Sequence, residues 1–482
     1  MPASLMSLFP QAQAAMEALA WSMKNNIAMT EMASQMIGFG FSCHNAAVKI
    51  GFDTAANCLP ASDDTPDGNM FREISEIYRK GALNFSELLE DNLISSMDRY
   101  KQHRQGEVEF LEMFTQEPPA QKWSIAFSDE DVLLDLPGMR LIDVSRDIPH
   151  EVDNYTVVFA PRAGHHSNIG ERTALYLRDQ GLTRMAIVEQ KCADDIPMYV
   201  DGVRHYENFD GQVSQYRSIL SHLKERTGCA PHTVAVCQPG PLLISTLILY
   251  PELARTFGSA GSPMHTEGEE GFLTDFSRRM GKDYIDRLIN FFSSKVGPTK
   301  IGAGREIYDG RLQVLGFYIL GIEQHARNLK KILVDLKEGD KESAKRQMQF
   351  YDWYNYALHF PAGFIRDTYK KIFVENALIN GTLKIHGRPV RLENYPTNVP
   401  IWALGGTRDN IAPPQQAIGH LDLIDSVTED QKLSAVAEAG HMGLFRSRRV
   451  LRDHYGHIAN FMKANSDYAK GNHSIAKLAL GA

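Results

Sequence analysis

From about residue 122 onward, short apolar segments alternate with helical stretches, and this alternation constrains the fold more than any other feature of the sequence. Each segment is a near-continuous apolar run, as is typical of strands in a mostly parallel sheet that is covered on both faces. We therefore predict an α/β core. The segments are "KWSIAF", "RLIDVS", "YTVVFAP", "RMAIVEQ", "TVAVCQ", "PIWALGG" and "LSAVAEAG".

Long amphipathic patterns such as "DFSRRMGKDYIDRLINFF" interrupt the alternation and predict a block of helices. Near its end, Asn380-Gly381 in "LINGTLKIHGRPVRL" predicts a hairpin turn. A linker, "TQEPPAQ", follows a helical N-terminal region. The predicted division is an N-terminal helical region 1–115, a first core part 116–263, a helical insertion 264–388, a second core part 389–465 and a tail 466–482.

Composition excludes several classes of protein. The 59 acidic and 51 basic residues are mixed along the 482-residue chain, so a nucleic-acid-binding surface is not expected. Five cysteines at irregular spacing argue against a disulfide framework and for a reducing compartment, and the lack of a C-x-x-C pair predicts no metal site. Without a secretory signal or a membrane-length apolar run, we expect a soluble cytoplasmic protein that needs no cofactor.

Cys237 lies where the apolar run of "TVAVCQPGPLL" turns sharply toward a helical stretch. In α/β-hydrolases the nucleophile occupies such a turn, usually as G-x-S-x-G, and here Ala235 and Pro239 stand in place of the two glycines. A thiol at a helix N-terminus is favoured as the thiolate, which is the nucleophilic form. The alternative is an inert cysteine that only packs in the core.

Two other residues, much later in the chain, would complete a catalytic triad. Their order is the one that α/β-hydrolases use, which is nucleophile, acid, histidine. Asp409 follows the strand segment "PIWALGG", and His441 follows the final segment "LSAVAEAG". Each has a plain alternative, since Asp409 could be a turn residue and His441 a surface histidine. Their joint occurrence at the carboxyl ends of strands favours catalysis.

An oxyanion hole requires two backbone N–H donors. We predict Gln238, which follows the nucleophile, and either Arg162 or Ala163 in the loop of "FAPRAGHHSNIG". His165 and His166 lie on the wrong strand to be the base, so they are interpreted as structural or substrate-facing residues.

The assembled motifs resemble those of the intracellular poly(3-hydroxybutyrate) depolymerases, a lidded α/β-hydrolase family with a cysteine nucleophile. The resemblance covers about residues 123–463, and the family has an apolar or small residue where this chain has Arg162. It implies that Cys237 is the nucleophile, Asp409 the acid and His441 the base. The motifs are "APRAGHH", "VAVCQP", "FYDWYN", "NGTLKIHGRPVR", "LGGTRDNI" and "GHMGLFRSRR".

The resemblance implies hydrolysis of polymer esters through an acyl-thioester, giving 3-hydroxybutyrate oligomers and monomer at storage granules in the cytoplasm. It also implies a helical lid, whose aromatic residues Tyr351, Trp353 and Tyr354 would line the substrate entrance or pack the lid onto the core. Coenzyme A as an acyl acceptor, the preferred length of the polymer's side chains and a homo-oligomeric state are left open.

Apolar residues of the N-terminal region could adsorb to a granule or its phasin coat, but packing against the core or against a second subunit is the simpler interpretation. They are Met16, Leu19, Met23, Ile27, Met29, Met32 and Met36. Two other functions remain as alternatives. A polyhydroxyalkanoate synthase would have a G-x-C-x-G turn, which Ala235 and Pro239 do not match, and a non-enzymatic granule-binding protein would not need an intact triad.

Overall fold

The computed structural model describes residues 10–25, 42, 46–47, 49–51, 54, 76–77, 79–81, 83–84, 100–116, 122–146, 148–150, 152–163 and 168–468. The chain divides into two compact units. One, called here the helical unit, contains Met1–Gln121 and Gly310–Ala357. The other, the sheet unit, contains Lys122–Asp309 and Leu358–Ala482.

The sheet unit is built on eight strands that form one continuous sheet. Three smaller sheets of two or three strands accompany it. The strands in chain order are β1 (Val132–Asp135), β2 (Met139–Asp143), β3 (Thr156–Phe159), β4 (Met185–Gln190), β5 (Tyr199–Val200), β6 (Val203–Arg204), β7 (His232–Val236), β8 (Thr256–Ala260), β9 (Ser293–Lys295), β10 (Glu306–Tyr308), β11 (Phe360–Pro361), β12 (Lys384–Ile385), β13 (Arg388–Pro389), β14 (Ile401–Gly406) and β15 (Lys432–Ala437).

Helices connect the strands and also form the helical unit. In chain order, the α-helices of the described residues are α1 (Pro10–Asn25), α2 (Tyr100–Thr115), α3 (Asn168–Asp179), α4 (Phe209–Thr227), α5 (Gly240–Leu249), α6 (Phe272–Phe292), α7 (Gly310–Leu320), α8 (Ile322–Glu338), α9 (Lys341–Asn355), α10 (Ala362–Asp367), α11 (Pro414–Ile418), α12 (Gly443–Arg446), α13 (Arg448–Val450) and α14 (Gly456–Ala464). Two π-helical turns span Thr368–Val374 and Leu451–Tyr455. Within the described ranges, no helix is long and apolar enough to cross a bilayer.

The large sheet has the strand order β1-β2-β4-β3-β7-β8-β14-β15. From β4 to β15 neighbouring strands are parallel, while β2 pairs antiparallel with both β1 and β4. Every residue of the central strands β3, β7, β8 and β14 is buried, as the continuous apolar runs predicted. Exchange of β3 and β4 relative to chain order, followed by sequential parallel strands, is the α/β-hydrolase topology, which confirms the predicted fold.

The helical unit has an apolar core of its own, formed where α2 packs on α1 and α8. Gly106 makes this approach close, because a Cβ there would lie 2.6 Å from the backbone oxygen of Leu336. Met16 and Leu19 of the N-terminal region are buried in this core, as the packing interpretation predicted. The remaining members of the predicted methionine-rich surface lie outside the described residues or have side chains outside them.

The helical insertion predicted at 264–388 is shared between the two units. Residues 264–309 and 358–388 stay with the sheet, whereas α7, α8 and α9 join the N-terminal helices. The strongly amphipathic α8 buries Leu329, Ile332 and Leu333 against α2, and sequence periodicity cannot show which partner an apolar face will choose.

The hairpin predicted at Asn380-Gly381 forms farther along the chain. Lys384–Ile385 pairs with Arg388–Pro389, so His386 and Gly387 make the two-residue turn. Both have positive φ, 49° and 73°, as a type I′ turn requires. Gly381 also has positive φ, but it ends a different turn, in which its own backbone N–H donates to the backbone oxygen of Leu378.

Gly258 of β8 lies directly opposite Trp402 of β14 in the sheet register. A Cβ at this position would come within 1.7 Å of the buried indole, so the Gly258→Ala variant must displace the ring or the strand. We expect the substitution to lower the free energy of unfolding by about 1–3 kcal/mol, as measured by chemical denaturation. The control is Gly297→Ala, where a Cβ meets no atom within 4 Å and the expected change is within about 0.5 kcal/mol. Equal effects of the two variants would contradict the packing argument.

Candidate active site

Cys237 directly follows β7, one of the two middle strands of the parallel part of the sheet, and precedes α5. Its φ is +64°, a conformation that a side chain other than glycine adopts only when the surrounding structure enforces it. The backbone N–H of Cys237 donates to Ala260 at the end of β8, at 2.9 Å. Such a strained strand-to-helix turn points the side chain out at the edge of the sheet.

Small residues permit this turn, although neither flanking position is glycine. Ala235 is fully buried, and Gly240 opens α5 where a Cβ would come within 2.7 Å of Ser262 and Met264. In G-x-S-x-G the second glycine lets the helix approach its neighbours closely. Here Gly240, one residue after that position, permits the close approach. Pro239 stands just before the helix, where its missing N–H leaves no hydrogen bond unmade.

The structure brings the three predicted triad residues together in series. His441 Nε2 lies 3.2 Å from Cys237 Sγ, and His441 Nδ1 lies 2.8 Å from Asp409 Oδ2. Asp409 follows β14 and His441 follows β15, so all three side chains come from the carboxyl ends of parallel strands. The second carboxylate oxygen of Asp409 accepts the backbone N–H groups of Ile411 and Ala412, both at 2.9 Å, which fixes its orientation.

His441 and Asp409 are nearly inaccessible to solvent, with side chains 6% and 0% exposed. Burial alone would lower the pKa of His441, but the Asp409 carboxylate and the Cys237 sulfur raise that pKa well above its usual value. The imidazolium form of His441 is therefore favoured between its two neighbours. An imidazolium beside the sulfur is the arrangement that stabilises a nucleophilic thiolate.

The predicted oxyanion donors lie beside Cys237, the predicted nucleophile. The backbone N–H of Arg162 donates to Oε1 of Gln238 at 3.3 Å, so the loop after β3 meets the residue after Cys237. The side chain of Gln238 thus accepts a hydrogen bond from one of the predicted oxyanion donors, the backbone N–H of Arg162. Ala163 is half-buried next to it, and His165 and His166 lie outside the described residues.

The side chain of Arg162 has a different role from its backbone. Its guanidinium is 2% exposed and lies 2.8 Å from Glu207, whose side chain is fully buried, while a second nitrogen donates to the backbone oxygen of Lys191 at 2.8 Å. Burial lowers the pKa of Arg162, and Glu207 opposes that shift. For Glu207, burial raises the pKa, but His205 and Arg162 outweigh it and keep the carboxyl below its usual value.

Glu207 is the centre of a buried hydrogen-bond network that the sequence did not predict. Gln212 and Gln215 donate to it at 2.5 and 2.7 Å, and His205 lies 2.8 Å away. The network holds the loop that carries the Arg162 backbone N–H. Its only sequence signal is an acidic residue in "RHYENFDGQ", a segment with no catalytic spacing.

The aromatic residues predicted to contact substrate lie in the helical unit. Tyr351 and Trp353 are buried, at 1% and 5% exposure, and Tyr354 is half-buried. The hydroxyl groups of Tyr351 and Tyr354 contact the two ring nitrogens of His325, at 3.0 and 3.3 Å. These contacts give the aromatic residues a packing role inside their own unit, and contact with substrate stays a prediction.

The sheet topology, with a strained turn at Cys237 beside a histidine and a buried aspartate at the same edge, defines the chain as an α/β-hydrolase. Residues 261–466 match the family model described as "PHB de-polymerase C-terminus". Over this segment the chain is similar to the PHB depolymerase family. The matched segment contains Asp409 and His441, while Cys237 precedes it.

Solved structures with similar folds have low sequence identity to this chain. An α/β-hydrolase fold protein from Nakamurella multipartita is 14% identical, with a TM-score of 0.36 over 68% of this chain and 96% of that one. A Paleococcus ferrophilus monoacylglycerol lipase is 12% identical, with a TM-score of 0.37 over 68% and 99%. A soluble variant of a Saccharomyces cerevisiae monoglyceride lipase is 10% identical, with a TM-score of 0.45 over 72% and 99%. No curated protein sequence matches the chain.

The contact between Asp409 and His441 predicts how the thiol of Cys237 reacts. In the Asp409→Asn variant the imidazolium loses its carboxylate partner, so we expect alkylation of Cys237 by iodoacetamide at neutral pH to slow about tenfold or more. Mass spectrometry of the Cys237 peptide measures the rate, with Cys192 and Cys229 as internal references. Asp422→Asn, at an exposed site, is the control.

A pH titration of the His441 ring signals by NMR tests the shift of the His441 pKa. Because the folded protein holds that pKa above the usual value of about 6.5, the imidazolium should persist as the pH rises past this value and be lost only at higher pH. In Asp409→Asn the loss should occur at lower pH. Identical profiles for the two proteins would exclude coupling between Asp409 and His441.

The buried pair formed by Arg162 and Glu207 predicts strong energetic coupling. Glu207→Gln leaves a buried guanidinium without its carboxylate and should destabilise the protein by about 3–5 kcal/mol. Adding Arg162→Met to Glu207→Gln should restore part of that loss, because no buried charge remains. Urea unfolding of both single variants and the double variant measures the coupling. The more exposed pair Arg140–Glu189 is the control, with coupling below about 1 kcal/mol, and additive effects at Arg162 and Glu207 would refute the prediction.

Proposed function

We propose that this protein is an intracellular poly(3-hydroxybutyrate) depolymerase that cleaves the ester bonds of storage-granule polymer through a Cys237–His441–Asp409 triad. The observation that carries the proposal is the series of contacts from sulfur to imidazole to carboxylate, 3.2 and 2.8 Å long, in a chain whose residues 261–466 match the PHB depolymerase model. The family match supports the polymer as substrate, and the contacts support the cysteine as nucleophile.

In the first half of the proposed reaction, the Cys237 thiolate attacks the carbonyl carbon of a polymer ester. A bond forms between sulfur and that carbon, and the carbonyl oxygen becomes an oxyanion. When the intermediate collapses, the ester C–O bond breaks and the departing alkoxide takes the proton from His441 Nε2. The products of this half are an acyl-thioester on Cys237 and a chain fragment that ends in a hydroxyl group.

In the second half, water replaces the departed alcohol. His441, now neutral, removes a proton from that water as it attacks the thioester, and collapse of the second intermediate releases a carboxylic acid and returns the sulfur as thiolate. Asp409 orients the ring throughout, because its carboxylate holds Nδ1 and leaves Nε2 directed at the reacting atoms.

The oxyanion of both intermediates would be stabilised by the backbone N–H of Gln238 and that of Arg162 or Ala163. In the free protein the Arg162 N–H donates to the side chain of Gln238, so a substrate carbonyl must displace that amide oxygen before the donor is available. Displacing the Gln238 amide oxygen should cost little free energy, because the contact is long and a substrate oxygen accepts the same hydrogen bond.

A cytoplasmic, granule-associated location completes the proposal, with the polymer surface as the principal partner and phasins as neighbours on the granule. Coenzyme A could replace water as the acyl acceptor, because a thioester exchanges readily with a second thiolate. A homo-oligomer is compatible with the same chemistry. None of these features changes the role assigned to Cys237.

Replacing the nucleophile tests the proposal directly. Cys237→Ala should lower the release of 3-hydroxybutyrate from native amorphous granules by about 10³-fold or more, while sedimentation with the granules is retained. Cys229→Ser, which alters a half-buried cysteine elsewhere in the sheet unit, should release acid at the wild-type rate. Unchanged release by Cys237→Ala would refute the assignment, and a wild-type protein that binds granules but releases nothing would support the granule-binding alternative.

Product identification separates the remaining reactions. Hydrolysis gives free acids whether or not coenzyme A is present, whereas thiolysis gives acyl-coenzyme A only when it is added. Incubation with hydroxybutyryl-coenzyme A in place of granules tests for polymer synthesis. We expect free acid as the main product and no polymer, and polymer formation would instead identify a synthase.

A further inference from the structure

A second cluster of reactive side chains lies in the sheet unit, on the loop that follows β4. Cys192, Asp194 and His359 each offer one donor atom, and these atoms lie within 4.8 Å of one another. Sulfur, imidazole nitrogen and carboxylate oxygen are the three donor types that zinc binds in proteins. All three residues are half-buried, so the site is accessible to an ion.

The histidine of this cluster is oriented from both sides. His359 Nδ1 lies 3.1 Å from Asp194 Oδ1, and Nε2 faces Asp309 at 3.8 Å. A carboxylate behind the far ring nitrogen is the usual support of a metal-binding histidine, because it fixes both the tautomer and the orientation of the ring.

Backbone groups also affect the sulfur of the cluster. Burial raises the pKa of the Cys192 thiol, while the backbone N–H groups of Asp194 and His359 act against that shift. N–H donors of this kind compensate the negative charge that a thiolate keeps when it ligates a cation. The residues that would bind the ion therefore also supply the backbone support of its sulfur ligand.

A rigid scaffold surrounds the cluster. Between the two ligands of the loop, Ala193 packs in a small core with Val296 and Ile307, and its N–H donates to the backbone oxygen of His359 at 3.0 Å. Gly302 donates to the backbone oxygen of Asp194 at 2.7 Å, and a Cβ on Gly302 would come within 2.6 Å of the Ala193 oxygen. The donor atoms are thus positioned by three separate chain segments before any ion binds.

We propose that Cys192, Asp194 and His359 form a binding site for one zinc ion, with a water molecule at the fourth position. On binding, the Cys192 thiol loses its proton to solvent and a Zn–S bond forms. The hydrogen bond between His359 and Asp194 is replaced by coordination of Nδ1 and of a carboxylate oxygen. The proton of His359 stays on Nε2, which faces the Asp309 carboxylate. The ion would join the loop after β4 to the segment that enters β11.

The proposed zinc site is not predicted by any sequence pattern. The ligands come from Cys-x-Asp and from a histidine far along the chain, a spacing that matches no recognised zinc motif. For this reason the sequence alone predicts no metal. The fold brings them together because β11 pairs with β10, and the chain just before β10 contacts the loop after β4.

Cobalt(II) binding tests the proposal, because a cobalt–thiolate bond absorbs in the near ultraviolet and the intensity of the visible bands reports tetrahedral geometry. The titration is made on full-length protein carrying Cys237→Ala, so that the triad contributes no thiolate. We expect about one equivalent of cobalt to bind and zinc to displace it. Zinc affinity then follows from competition with a chromogenic chelator.

Added substitutions assign the ligands. Cys192→Ser should abolish the thiolate band, and Asp194→Asn, His359→Gln and Asp309→Asn should each weaken zinc binding about 10–100-fold. The matched controls are Cys229→Ser and the exposed neighbour Asp195→Asn, which should bind as the parent does. Circular dichroism establishes that each variant is folded. A thiolate band that survives Cys192→Ser, or a folded parent that binds no metal, would overturn the proposal.

Discussion

The turn at Cys237 is the constraint on which the rest of the site depends. A residue with a side chain is held at a φ of +64° because β7 is paired on both sides by parallel strands and its backbone N–H is bound to the end of β8. The strain is balanced by burial of the whole strand and of the helix that follows. The turn directs the Cys237 sulfur away from the sheet, and His441, which follows another strand, contacts it there.

The convergence of the three predicted triad residues could be anticipated from the sequence because their placement follows a rule of topology. Parallel strands present their carboxyl ends at one edge, so Cys237, Asp409 and His441 had to lie near each other once each followed a buried strand. Which rotamers they adopt did not follow from that rule. The two backbone N–H groups that orient Asp409 come from a local turn whose geometry no residue pattern specified.

Other features depended on contacts that a linear pattern does not encode. Asn380-Gly381 and His386-Gly387 are both plausible turn dipeptides, and the strand pairing selected the second. In the same way, α8 is equally amphipathic whether it packs on the sheet or on α2. Glu207 was missed because a buried carboxylate is acceptable only when several donors surround it, and those donors are dispersed over neighbouring turns of chain.

The loop after β4 connects the Glu207 network to the cluster of Cys192, Asp194 and His359. The backbone oxygen of Lys191 accepts from the Arg162 guanidinium, and the next residue is Cys192, the sulfur ligand of the proposed zinc site. Whatever fixes this loop also fixes one side of Arg162, whose backbone N–H donates to the side chain of Gln238, the residue after Cys237. Glu207 holds the guanidinium from the other side. Charge and hydrogen bonds on both sides of Arg162 therefore help to position the loop after β3, and they allow an arginine to be buried there without an unpaired charge.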